Sequence, residues 1–224
     1  MQPTIVFEDN HLLVINKPFG MPSQKDETKD LSAVEWVEEY LRTTYQKEGN
    51  VYVALLHRLD RPTGGLLMFA KTSKAAARMS ADFQQNKIQK TYCAVTENTP
   101  SNEVGELQHY LAKLPAKNIV KAYQKAVYGA KLAVLSYKVL ATHHQKALVE
   151  IYPKTGRQHQ IRVQLASIGC VICGDVKYGK TNFLSNKCIC LMATSLTFTH
   201  PIKKEALTLQ ISLPKETPWA DFAH

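Results

Sequence analysis

The sequence has no apolar run near the roughly 20 residues that a membrane-crossing helix needs. Its opening, MQPTIVFED, lacks a basic start leading into an apolar core, so no secretory signal is expected and the protein reads as soluble and cytoplasmic. There is no internal repeat, low-complexity segment or visible linker, and none of the glycine patterns that cradle nucleotide phosphates. Cysteine is scarce: Cys93, Cys170, Cys173, Cys188 and Cys190 make five. An odd count, in a chain long enough to build a core without staples, argues against a disulfide framework. Cys170-x-x-Cys173 with Cys188-x-Cys190 could be drawn as a four-thiolate zinc site. Their neighbours Val171, Ile172, Ile189 and Leu191 point instead to ordinary buried thiols, and no metal is expected.

Acid is missing from one long stretch. Residues 107–149 hold Lys113, Lys117, Lys121, Lys125, Lys131, Lys138 and Lys146 and no Asp or Glu. The whole chain has 28 Lys and Arg against 19 Asp and Glu, a net charge of +9. That excess favours a polyanionic partner such as nucleic acid. The stretch carries most of the excess, so it reads as a phosphate-tracking face rather than a merely solvated sheet surface.

What is present is globular. The 224 residues are 45% hydrophobic and 21% charged, which allows a sizeable core and is read as one catalytic domain over residues 1–224. Residues 4–8 and 11–16 are apolar, β-branched strands broken by Asp9-Asn10, and Pro18, Gly20 and Pro22 end regular structure. Ser32 with Glu35 predicts a capping box and a helix to about residue 47, with Val34, Val37 and Leu41 on one face and Gly49 at its exit. Residues 51–56 and 66–70 read as strands around the turn-rich loop 57–65, and residues 73–86 as a helix. Residues 88–96 form a strand with Lys90, Tyr92 and Ala94 facing one way. Residues 147–152 are a strand. Thr155 and Gln158 predict a second capping box and a helix through about Ile168, with Ile161, Leu165 and Ile168 as its stripe. Strands follow near 188–199 and 206–213. The result is an α+β, mixed and largely antiparallel sheet with flanking helices.

The chemistry gathers at His57-Arg58-Leu59-Asp60, a carboxylate between bases in a strand-connecting loop. An Asp in such a loop commonly caps its own turn. Flanking positive charge also keeps it ionised, which suits a nucleophile. Tyr92 and Arg162 are a strand tyrosine and a helix arginine, and sequence alone does not join them to Asp60.

HRLDRPTGGLLMFAKT strongly resembles the signature of the RluA-type family of pseudouridine synthases, H-R-L-D then T-S-G-L. FEDNHLLVINKPFGMP, KTYCAV, GAKLAVLSYKVL, GRQHQIRVQLASIG, GDVKYG and LMATSLTFTHP match further blocks in the family's order over almost the whole chain. The resemblance implies a pseudouridine-synthase fold with a central active-site cleft and conversion of uridine to pseudouridine in ribosomal or transfer RNA. No cofactor is implied, because the isomerisation involves no net redox or hydrolysis. It implies Asp60 as nucleophile, Tyr92 near the target base, Arg162 pairing with Asp60 and Leu191 in the apolar floor under the uracil. His57, Arg58 and Arg61 are expected to contact RNA phosphate or help flip the base, although His57 has an equal claim to holding the loop. Lys17 and Arg157 are weaker phosphate candidates. A monomer is expected, and the RNA-binding module that precedes the catalytic domain in larger members is expected to be absent. Gly64 stands where the family usually has Ser, Gln158 for Thr, Gln164 for His and Val171 for Pro. Two other functions fit parts of the sequence. A non-catalytic RNA-binding or RNA-remodelling protein would use the lysines but not the intact Asp60, Tyr92 and Arg162. A glycoside hydrolase would need a second carboxylate as acid, and none occurs in 154–174.

Overall fold

The computed structural model describes residues 2–114, 119–179, 184 and 188–222; Lys117 lies outside them. The chain forms two compact units, Met1–Gln89 with Ala193–Ile211, and Lys90–Met192 with Ser212–His224.

The first unit begins with strands β1 (Thr4–Glu8) and β2 (Leu12–Lys17). Their turn forms because Asp9 Oδ1 accepts the His11 and Leu12 N–H groups, each at 2.8 Å. Helix α1 (Ala33–Thr44) starts at the expected capping box, with Ser32 and Glu35 each receiving the other's backbone N–H. It stops short of residue 47 because Gln46 turns left-handed at φ 48° and Lys47 N bonds back to the Arg42 carbonyl at 3.0 Å. Strand β3 is Ala54–Leu55 alone, shorter than the expected 51–56. The ladder ends there because the Met68 N–H of strand β4 (Gly64–Ala70) bonds to the His57 ring, not to a backbone carbonyl. Helix α2 (Ser73–Gln84) follows, N-capped by Thr72.

In this unit β2 lies between β1 and β4, antiparallel to both, and β3 lies antiparallel on β4. Strand β10 (Leu191–Thr199) neighbours β4 and pairs antiparallel with β11 (Ala206–Gln210). Leu12, Val14, Leu66 and Met68 pack with Ala75 and Met79 of α2 and with Leu196 and Phe198 of β10. Leu13, Ile15, Leu67 and Phe69, on the opposite faces of β2 and β4, are fully buried too, which explains why these strands read as continuous apolar runs. Gly65 has φ +110°, and a Cβ there would sit 2.3 Å from the Ala193 carbonyl oxygen. Gly65→Ala should therefore destabilise the protein by about 2–4 kcal/mol, seen as a lower urea midpoint; an unchanged midpoint would contradict this close approach.

The second unit is built on antiparallel strands. Strands β5 (Gln89–Thr96), β9 (Lys146–Pro153), β8 (Lys131–His143), β6 (Val104–Leu114) and β7 (Ile119–Tyr123) lie in that spatial order. Each neighbouring pair is antiparallel. Helix α3 (Gln160–Ser167) places Val163 against Leu111, Val120 and Ala133 of the sheet. Its predicted capping box does not form. Thr155 Oγ1 instead bonds Val134 N at 2.9 Å and the Gln160 side chain at 2.8 Å, and His159, at φ 52°, occupies the cap without its side chain bonding the helix N–H groups. Ile168, expected in the buried stripe, lies past the helix end and is 38% exposed.

Strand register also revises the lysine face. Val104 opposes Lys138 and Ala112 opposes Lys121, so these two lysines share one side of the sheet with Glu106. Leu111 opposes Lys131, so Lys131 and Lys113 lie on the other side. Lys146 stands 3.8 Å from Glu97. The basic residues thus do not form one plane. Lys113, Lys121 and Lys131 lie near the end of the sheet where β6 and β7 pair, Lys121 on the opposite side from the other two, and all three are exposed.

All five cysteines are buried free thiols. Burial, with Glu97 nearby, pushes the Cys173 thiol up to about 12, and burial raises Cys170 and Cys190 as well. No helix among the described residues is long and apolar enough to cross a membrane.

Candidate active site

Asp60 stands half-buried on the loop between β3 and β4, and its two sequence neighbours are both pinned. Ser23 Oγ donates to the Leu59 carbonyl at 2.7 Å and accepts the Leu59 N–H at 3.0 Å. Lys17 Nζ donates to the carbonyls of Pro18 (3.0 Å), Met21 (2.7 Å) and Arg61 (3.4 Å). The Asp60 carbonyl closes the turn by accepting the Thr63 N–H at 2.9 Å. The end of β2 and the segment that follows it therefore fix the backbone on both sides of the carboxylate.

Lys17, expected as a phosphate contact, is fully buried, and its ammonium donates to these backbone carbonyls. Its place in the site is to hold the Asp60 loop.

The other loop residues divide by environment. His57 Nε2 accepts the Met68 N–H at 3.2 Å, and its ring stacks on Phe83 at 4.9 Å, so it has the structural role in hand. Arg58 is exposed. Arg61 bonds Thr28 at 2.9 Å and forms ion pairs with Asp26 and Asp30, tying 26–30 to the loop. Its bond to Asp30 raises its pKa. At Gly64 the ring of Phe19 takes the space of a side chain, since a Cβ would lie 2.9 Å from it.

In the second unit Tyr92 lies half-buried on β5, opposite Ile151 of β9. Arg162 is 5% exposed on α3 and grips Asp175 with two bonds, Nε to Oδ2 at 2.7 Å and Nη2 to Oδ1 at 2.8 Å. The guanidinium stands 5.2 Å from the Tyr178 ring centre. The Tyr178 hydroxyl lies 2.6 Å from His159 Nδ1 and accepts the Val120 N–H at 3.0 Å. One face and both oxygens thus fix the plane of the arginine fork. Asp175 and Tyr178 were missed by sequence reasoning, although the GDVKYG block that carries them was visible. Gln164 Nε2 bonds the Leu107 and Ala133 carbonyls, at 3.0 and 3.2 Å, and so bridges β6 and β8. Leu191 is buried at the start of β10. Arg157 is exposed, and its Nε donates to the Leu132 carbonyl at 3.0 Å.

Each unit thus carries candidate site residues. The first offers a carboxylate on a clamped loop. The second offers a locked guanidinium and a strand phenol.

Comparison with known proteins points the same way. A sequence model of the family described as RNA pseudouridylate synthase matches residues 11–167. A protein named ribosomal large subunit pseudouridine synthase C, from Rickettsia bellii, is 32% identical over 94% of this chain and 68% of its own length. A protein named tRNA pseudouridine synthase C, from Haemophilus ducreyi, is 33% identical over 96% of this chain and 93% of its own length. The solved structure of human RNA pseudouridylate synthase domain containing 4 superposes with a TM-score of 0.79 at 26% identity, covering 94% of this chain and 88% of that one.

Proposed function

We propose a function that proceeds from one fact: this chain belongs to the RNA pseudouridylate synthase family. It is a pseudouridine synthase, an isomerase. Its substrate on this reading is uridine in ribosomal or transfer RNA, the two RNA classes in its relatives' names. Asp60 is the nucleophile, no cofactor or metal takes part, and the two units act together as one catalytic domain in a monomer.

The observation that supports Asp60 in particular is its setting, an HRLD loop whose flanking residues are held by buried Ser23 and Lys17. Rigid presentation of a half-buried carboxylate suits attack on a positioned substrate better than turn-capping does. The isomerisation breaks the bond from the uracil nitrogen to the ribose anomeric carbon, turns the base, and rebuilds the link through carbon. The uridine must first leave its stack. Asp60 then attacks the anomeric carbon or the uracil ring, or assists formation of a glycal-like intermediate. Arg162 serves as the charge partner of the Asp60 carboxylate. Tyr92 stacks on the uracil and moves a proton late in the reaction. Leu191 belongs to an apolar floor that keeps water from the detached base. Arg58 and Arg61 reach RNA phosphate.

RNA docking is assigned to the exposed lysines at the β6–β7 end of the sheet. Changing Lys113, Lys121 and Lys131 together to Gln should weaken RNA binding and reduce the slope of log affinity against log salt by about two to three. A salt slope equal to wild type would remove that surface from the docking site. The function itself is tested by mapping pseudouridine in total RNA from cells with and without the gene. Loss of one or a few sites in ribosomal or transfer RNA is expected, and identical maps would overturn the assignment.

A further inference from the structure

We propose that Lys90, together with Arg157, forms a binding site for a phosphodiester of the RNA strand beside the target uridine. The identity of the ligand rests on the functional reading above; the site itself rests on the following geometry. Side chains alternate along β5, so Lys90 and Tyr92 project to the same side, roughly 7 Å apart along the strand. Lys90 is half-buried. Among the described residues its ammonium has neither an ion pair nor a hydrogen bond.

Other sheltered lysines of this protein are satisfied. Lys17 donates to three carbonyls, and Lys71 is paired with Glu8 at 2.5 Å. Lys90 is a sheltered cation without an acceptor, and burial alone lowers its pKa. Holding such a charge costs stability unless an anion arrives to satisfy it.

The surroundings provide the opening for that anion. The Lys90 Nζ lies 3.7 Å from the position a Cβ would take at Gly156, an exposed residue whose lack of a side chain leaves the ammonium accessible. Arg157 follows directly. Its Nε bond to the Leu132 carbonyl anchors the guanidinium at one corner and leaves its terminal nitrogens exposed. An ammonium and a guanidinium on adjoining segments, with a glycine between them, suit the paired oxygens of a phosphodiester. A phosphate held there would lie on the Tyr92 side of β5, where it would fix the backbone of the nucleotide whose base meets the phenol.

The test uses the full chain with Lys90→Gln, Lys90→Met and Arg157→Gln. RNA affinity is measured directly by titration across a salt series, and turnover by tritium release from RNA carrying carbon-5-labelled uridine. Each substitution should weaken RNA affinity about five- to tenfold near physiological salt and lower the salt slope by about one. The thermal midpoint of Lys90→Met should not fall, because no native partner is lost. An unchanged affinity and slope would overturn the phosphate site, as would a loss confined to turnover. Failure of the wild-type chain to release tritium would instead count against the enzymatic reading, while the affinity arm would still decide whether Lys90 binds the strand.

Discussion

Asp60→Asn is expected to give a folded protein that binds RNA with near wild-type affinity and turns over at least about a thousandfold more slowly. The amide preserves the shape of the side chain and removes the nucleophilic oxygen charge. A thousandfold is about 4 kcal/mol of lost transition-state stabilisation. Folding should survive because the loop is held through the Leu59 backbone and the Arg61 and Asp60 carbonyls, none of which changes. Circular dichroism, RNA titration and pseudouridine formation on the same sample separate the three quantities. Pseudouridine formation at the wild-type rate would remove the nucleophile assignment.

The second large effect lies at Asp175, a residue given no role by the sequence. Its carboxylate takes two bonds from a guanidinium that is only 5% exposed. Asp175→Ala should cost about 3–5 kcal/mol, since it strips a buried cation of its bidentate partner. For a chain of this size that corresponds to a fall in melting temperature of roughly 10 °C. Replacing both partners with apolar residues, Arg162→Met with Asp175→Leu, should recover part of the stability, because neither member of this pair is left charged without the other. It should not recover turnover if Arg162 acts on the reaction. Stability and activity moving together in the double variant would reduce the arginine to a structural part.

Local signals in the sequence foretold local structure well. The Asp9 turn, the Ser32–Glu35 box and the apolar runs of β2 and β4 each depend on residues within a few positions of one another, and each formed. Features set by distant partners were not legible. Lys17 looks like a surface cation in NKPFG, yet three carbonyls, one of them 44 positions along the chain, enclose it. The spread of lysines over 107–149 looked like one face until register sorted alternating side chains to opposite sides. Thr155 had the spacing of a cap, but the Gln160 side chain and Val134 claimed its hydroxyl. The limits of the two units fall inside strands β5 and β10, where composition does not change.

The central claim, catalysis by a carboxylate without a cofactor or metal, is met most directly by a single assay. Purified chain is incubated in the presence of a chelator with ribosomal and transfer RNA transcripts carrying tritium at carbon 5 of uridine. Tritium should appear in the solvent in step with pseudouridine in the RNA, and should stop at a small whole number of sites per transcript. RNA that is bound yet retains all of its label, in every transcript offered, would contradict the account.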